Sequence, residues 1–319
     1  MARPKPKFLA TIRERLPKGG RLLLAVSGGL DSVSLAHAAS ELSEELNLHL
    51  EIAHIDHRLR PSSSKDASFA RSLAKKLRLS FHCTRLAKPP KGSNIEDWAR
   101  KERYRYFAQV LKRRKLDWTL TAHNANDVAE TLLMRLLSNK EPHSIQFQDE
   151  RRKVLRPMLT LTRREITAYA ESKKLKWVED PTNAKDIFLR NRVRNKLIPL
   201  LAKEFDPRIV ETLANRAVSI AEDIDGIYSD IGDALTTLAP LPFGSKAWLR
   251  AVKSELKNLH PAYSWRLAER LLRTRLGFNL GRARSKRLVD LLLGGKTGLE
   301  LPGRLSLRLK NGGIEISQL

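Results

Sequence analysis

Two serines, two glycines and an aspartate stand together at the end of an apolar run: Ser27-Gly28-Gly29-Leu30-Asp31-Ser32 follows Leu22-Leu23-Leu24-Ala25-Val26. Paired glycines can take backbone angles closed to other residues and bring their N–H groups against an anion. A helix start just beyond adds unpaired donors and its positive dipole end. Ser27 and Ser32 supply hydroxyl donors, and Asp31 can hold the magnesium ion that travels with a nucleotide. Residues 27–32 are therefore expected to form a phosphate cradle. They are not a Walker loop, which needs a lysine that this stretch lacks. The look-alike Gly295-Lys296-Thr297 has Asp290 where the first glycine is required, and reads as a turn.

Further chemistry-bearing residues lie in three other stretches. Asp127 and Glu130 are three apart at a helix start, so both carboxylates can face the cradle's side of a sheet; plain stabilisation of the helix N-terminus is the alternative. His54, Asp56, His57, Arg58 and Arg60 follow the second apolar segment, where Arg58 and Arg60 suit phosphate or RNA. The histidines and Cys83 fit no standard zinc spacing. Arg190, Arg192 and Arg194 alternate in a basic helix, so they cannot all face one surface, but one or two can reach an anion.

The elements that must position these residues alternate along the chain. Strands are expected at Leu22–Val26, His49–Ile55, Ser80–Leu86 and Trp118–Ala122. Helices are expected through Leu35–Leu42, Lys65–Leu79, from an N-cap at Ser93, and over Asn126–Leu137. That order predicts an α/β fold with a doubly wound parallel sheet, whose ligands collect beyond the strands' C-terminal ends. A helix over Thr162–Leu175 and the basic helix follow. Beyond about residue 208 long helical patterns give way to short strands turning at Pro302-Gly303 and Asn311-Gly312-Gly313. The expected division is an α/β domain over 1–207, ending in the basic helix, and a C-terminal region over 208–319, helical and then strand-rich.

The 319 residues carry 60 Lys and Arg against 35 Asp and Glu, a formal charge of +25. An excess of that size, spread over most segments, points to a folded basic surface for a polyanion such as nucleic acid. One cysteine excludes an internal disulfide, a CxxC zinc site and a cysteine-held iron–sulfur cluster. No apolar run approaches bilayer length and the first residues lack a signal-peptide core, so a cytoplasmic protein without a membrane partner is expected.

The SGGLDS loop resembles the pyrophosphatase loop of the N-type ATP pyrophosphatases. Together with AHIDHRLR (53–60), SNIEDWARKERYRYF (93–107), TAHNANDVAETLLMRLL (121–137), LRPMLTLTRREI (155–166) and VEDPTNAKDIFLRNRVRNKLIPLL (178–201), it resembles the tRNA(Ile)-lysidine synthetases over most of residues 20–203. The resemblance implies that ATP adenylates the C2 oxygen of the wobble cytidine in an isoleucine tRNA with a CAU anticodon. Free lysine then displaces AMP through its ε-amine. It further implies that Ser27, Gly28, Gly29, Leu30, Asp31, Ser32 and His54 hold ATP with magnesium. His123, Asp127, Glu130, Arg58, Arg60, Arg192 and Arg194 would meet the substrates, and Asp31, Asp127, Glu130 and Arg190 would take part in the chemistry. A homodimer is compatible with this reading. The sequence departs from the family pattern at Asn124, where a second histidine is usual, and after Leu137, where Ser138-Asn139-Lys140-Glu141-Pro142-His143 lacks a glycine turn. An adenylating enzyme for a small acid or amide and an inactive RNA-binding homologue are the rival readings; neither an acid nor an amide substrate requires +25.

Overall fold

The computed structural model describes residues 7–56, 63–90, 92, 95–138, 145–179, 189–277, 280–295 and 298–318. Arg58, Arg60, His57, the expected cap at Ser93, most of the glycine-free loop after Ser138, and Lys296-Thr297 lie outside the described residues.

The first part opens with α1 (Lys7–Arg15) and then alternates: β1 (Gly20–Ala25), α2 (Leu30–Glu41), β2 (Leu48–Asp56), α3 (Ser63–Lys76), β3 (Ser80–Arg85), α4 (Ile95–Arg114), β4 (Trp118–Leu120) and α5 (Ala125–Leu137). Two short strands, β5 (Gln148–Asp149) and β6 (Val154–Leu155), precede α6 (Arg163–Ser172). The sheet order is β3-β2-β1-β4-β6-β5, parallel except for β5 against β6. The four expected strands are present. The two-residue β5 and β6 were not expected, because segments that short carry no periodicity to read.

Leu22 and Leu24 of β1 face one side of the sheet, packing with Phe8, Ile12, Leu35 and Ile166 from α1, α2 and α6. Leu23 faces the other side with Phe107, Val110 and Leu111 of α4. The unbroken apolar run of β1 is thus the signature of a strand covered on both faces. Truncating Leu22, which is fully buried, is worth about 2–5 kcal/mol.

Next come α7 (Leu189–Arg192), one π-helical turn at Val193–Leu197, α8 (Ile198–Glu204) and the 30-residue α9 (Ile209–Leu238). Two compact units, Met1–Ala221 and Glu222–Leu319, divide inside α9. Ala214 and Ala217 pack with Val128 and Leu132 of α5 in the first unit, while Ile231, Ala234 and Leu238 belong to the core of the second. That second core gathers α10 (Lys246–Asn258), α11 (Pro261–Leu276) and α12 (Arg282–Leu293) around Trp248, Leu267 and Leu288. It closes with an antiparallel sheet of β7 (Gly298–Leu301), β8 (Leu305–Lys310) and β9 (Gly313–Gln318). The turns fall where the sequence places them: Gly303 and Gly312 both take positive φ, +79° and +77°.

Candidate nucleotide and substrate site

The sheet order reverses at β1, whose neighbours are β2 on one side and β4 on the other. Loops leaving such a switch point diverge to opposite faces and open a crevice beyond the strand ends. In the loop after β1, the Val26 N–H donates to Ala53 O at 2.9 Å, and Val26 O lies 2.8 Å from His54 Nδ1. His54 is 3 % exposed, so it ties the ends of β1 and β2 together as it borders the loop.

Gly28 has φ +96°, a conformation that disfavours any side chain, and its carbonyl accepts from the Val178 N–H at 2.9 Å. Gly29 corrects the expectation of two special glycines. It is the N-cap of α2 at φ −76° and ψ 162°, an angle pair open to every residue. Leu30 buries its side chain in the core, leaving only its backbone at the loop. The two serines are engaged with the loop itself. Ser32 Oγ donates to Gly29 O at 2.9 Å, Ser27 Oγ lies 3.1 Å from Ser32 Oγ, and the Gly29 N–H donates to Ser27 Oγ at 3.3 Å.

Asp31 sits in the first turn of α2, paired through Oδ2 with the Arg163 guanidinium. Burial pushes its pKa up to about 6; Arg163 and Arg194 pull it down and Asp127 raises it. Its second oxygen, Oδ1, is buried and makes no well-formed hydrogen bond among the described residues, although the Asn124 side chain also lies close enough to pull the pKa down. Arg163, which sequence reasoning missed, opens α6 and also gives its backbone N–H to Asn126 Oδ1 at 2.8 Å. The starts of α2, α5 and α6 therefore meet at one place. The available signal was the capping box of Thr162 and Glu165, in which each satisfies the other's N–H.

Asn124 caps α5, accepting from the N–H groups of Asn126 and Asp127 at 3.0 and 3.2 Å, and Asp127 returns the bond to the Asn124 N–H. Asparagine where the family pattern has histidine is thus used as a helix cap. Asp127 and Glu130 both meet arginine. Arg190 reaches Asp127 Oδ1 and Glu130 Oε2, each at 2.7 Å, while Arg194 reaches Glu130 Oε1 at 2.6 Å and lies 3.5 Å from Asp127. Glu130 is 1 % exposed. Burial opposes the charge on Arg194, but Glu130 and Asp127 outweigh it and raise its pKa. Spacing of four puts Arg190 and Arg194 on one side, whereas Arg192 points to solvent. His123 lies beside Thr121, with Nδ1 2.9 Å from Oγ1. Burial first, and then Arg156, Arg103, Arg190 and Arg100, lower its pKa to about 3, so it is neutral at ordinary pH.

A glycine loop at a switch point, facing balanced acids and arginines, defines a nucleotide-handling α/β site. Residues 4–201 match the PP-loop domain family, and the chain belongs to it. The chain is 37% identical over 236 residues to the tRNA(Ile)-lysidine synthase of Clostridium perfringens, covering 71% of this chain and 50% of that protein. It is 36% identical over 248 residues to the tRNA(Ile)-lysidine synthase of Deinococcus deserti, covering 76% and 45%. It spans about half the length of the curated relatives it matches. Among solved structures, the U34-tRNA thiolase NcsA of Methanococcus maripaludis aligns over 67% of this chain and 77% of its own with a TM-score of 0.57; at 16% identity this likeness concerns the fold.

Proposed function

We propose that this chain joins free lysine to C2 of the wobble cytidine in a CAU-anticodon isoleucine tRNA, spending ATP to AMP and pyrophosphate. The observation that carries the reading is the pairing of the Gly28 loop with the Asp127–Glu130–Arg190–Arg194 cluster across one switch point. The tRNA(Ile)-lysidine synthase relatives and the charge of +25 support it.

In the first step the cytidine O2 attacks the α-phosphorus and pyrophosphate leaves. In the second the lysine ε-nitrogen attacks C2 and AMP departs with the oxygen. Backbone N–H groups of Gly28 and of residues 30–32 hold the departing phosphates at the start of α2. Asp31 fits a magnesium ion: its Oδ1 is a buried carboxylate oxygen left outside the Arg163 pair, with the Asn124 side chain beside the carboxyl group. Among the described residues no three His, Cys, Asp or Glu side chains converge as a metal site, which suits an ion ligated mainly by phosphates and water. Bound there, magnesium offsets charge on the leaving pyrophosphate.

Asp127 and Glu130 receive the lysine ammonium, and either takes the proton that the amine must lose. The arginines now on these carboxylates turn their forks to the α-phosphate or to RNA. Neutral His123 lines the cytidine side, His54 braces the loop beside the nucleotide, and Arg58, Arg60 and Arg192 add contacts to RNA. Residues 208–319 hold the tRNA body. The reactants meet in the cytoplasm; among the described residues no helix is long and apolar enough to cross a membrane.

Purified protein given ATP, magnesium, labelled lysine and the isoleucine transcript is expected to release AMP and incorporate label, and to spare the methionine tRNA that shares the anticodon. Neither product, with ATP binding intact, overturns the reading.

A further inference from the structure

We propose that the main sheet carries a second RNA-holding surface at its amino-terminal edge, where an open cleft takes the phosphodiester backbone of the tRNA and seats a base against Trp118 or Tyr104. The cleft, of about 780 Å³, lies between the last turns of α4, the start of β4 and the turn joining β5 to β6. Lys112, Lys115 and Arg151 rim it, all exposed and forming no ion pair among the described residues. Arg152 and Lys153 complete the rim, held at 2.8 Å by Asp149 and Glu150 in half-exposed pairs that an incoming phosphate exchanges at little cost.

Aromatic faces are set among these cations. Lys153 Nζ lies 4.7 Å from the Trp118 ring centre, and Arg152 lies 5.1 Å from that of Tyr104. Cations interleaved with ring faces are what an RNA strand needs, phosphates pairing with the first and bases stacking on the second.

Two features could oppose an anion here, and both are answered. Asp117 lines the cleft, but this one carboxylate, which accepts from the Arg21 N–H at 2.8 Å, is outnumbered by Lys112, Lys115, Arg151, Arg152 and Lys153 in the same lining. The C-terminal carbonyls of α4 point the negative end of that helix nearby, and the Arg21 guanidinium covers them, donating to Lys115 O at 3.0 Å and to Arg114 O at 3.4 Å. The cleft has no glycine loop and no helix N-terminus among its lining residues, so nothing grips one dense triphosphate. Cations on separate exposed stems suit successive phosphates instead.

Because β4 begins at Trp118 and the Asp127–Glu130 cluster follows its other end, the cleft and the reaction site occupy opposite edges of the sheet. The RNA segment held here is therefore not the one bearing the target base. The identity of the RNA as tRNA rests on the proposed function.

The test uses the full chain with Lys112→Glu, Lys115→Glu and Arg151→Glu combined, and Trp118→Ala and Trp118→Phe separately. Affinity for the isoleucine tRNA is measured across a salt series without ATP or lysine, and ATP affinity is measured without RNA. The charge reversal is expected to weaken tRNA binding about tenfold or more, and to flatten the log K against log salt slope by roughly 0.9 for each phosphate that is no longer neutralised. ATP affinity stays the same. Trp118→Ala should cost roughly tenfold, with Trp118→Phe restoring most of it. Lysine-reactive labelling should show Lys112 and Lys115 protected by tRNA. An unchanged affinity and slope in a variant with native circular dichroism overturns the inference, as does stronger protection by polyglutamate than by tRNA. Lysine incorporation with a silent cleft sinks this inference alone; a working cleft without lysine incorporation sinks only the proposed function.

Discussion

Two acid–base clusters in the first unit use the same side-chain types to different ends. Around β2, the single carboxylate of Glu51 is wholly buried and receives His49 at 2.9 Å, His82 at 2.5 Å and Arg114 at 3.0 Å. Burial raises its pKa, yet the hydrogen bonds from Arg114, His49 and His82 win and hold it at about 2. His49 shares its strand, and His82 comes from the next strand over, paired there with Ala53, so sheet register fixes both. At the candidate site two carboxylates at a helix start face two arginines brought in from α7 and the π turn. The first cluster has more donors than its acid needs and is locked by strands. In the second, two acids balance two arginines, so each partner has the charge to bind something else, and the proposed function uses that property.

The sharpest way to break this contrast is Glu130→Gln against Glu51→Gln. In the lysine-incorporation assay, Glu130→Gln is expected to lower turnover on the order of 100-fold or more, as loss of a group that handles charge or a proton does. Equal activity in the two variants would end the distinction. Glu51→Gln should leave activity per folded molecule intact while lowering urea stability by roughly 1–2 kcal/mol, the loss of charge-assisted hydrogen bonds whose Arg114 and His49 partners stay half in water.

Gly28→Ala tests the loop between these extremes. A left-handed alanine costs roughly 1–2 kcal/mol, read in the same urea titration, and an added Cβ would stand 3.5 Å from Phe69 and 3.8 Å from Val178, ordinary contact distances. The stability loss should therefore be small, and a larger drop in ATP affinity would mark the backbone angle as functional.

The pH profile sharpens the contrast further. A carboxylate depressed to about 2 stabilises the fold fully above its unfolded value near 4.5, and that contribution fades as pH falls toward 2. A histidine depressed to about 3 leaves the unfolded chain binding more protons, so stability also declines below about 6.5. Glu51→Gln should flatten the lower part of the acid arm and His123→Gln the upper part, seen by repeating the urea titrations across pH.

Much of the architecture was legible because strands covered on both faces run apolar and surface helices must be striped; β1 and α5 obey, whereas β2 buries Glu51, His54 and Asp56 among its apolar residues. β5 and β6 escaped because two residues hold no period. At the site, SGGLDS announced a loop by its glycines, although only Gly28 uses the freedom that glycine gives. For Arg163 the Thr162–Glu165 capping box marks where α6 starts, but nothing in that neighbourhood says that α6 begins beside Asp31.

Sequence alone determined the longer strands and helices, that a phosphate-sized loop follows the first strand, and that the chain carries charge for a polyanion. These depend on local backbone preference, on period and on composition, all of which are properties of short stretches. Tertiary structure alone decided that Asp31 meets Arg163, that Arg190 and Arg194, rather than Arg192, close on Asp127 and Glu130, and that Glu51 is a structural ion. Those outcomes turn on which distant side chains share one desolvated space. Charge pairing there depends on separations of a few ångströms that no spacing along the chain encodes.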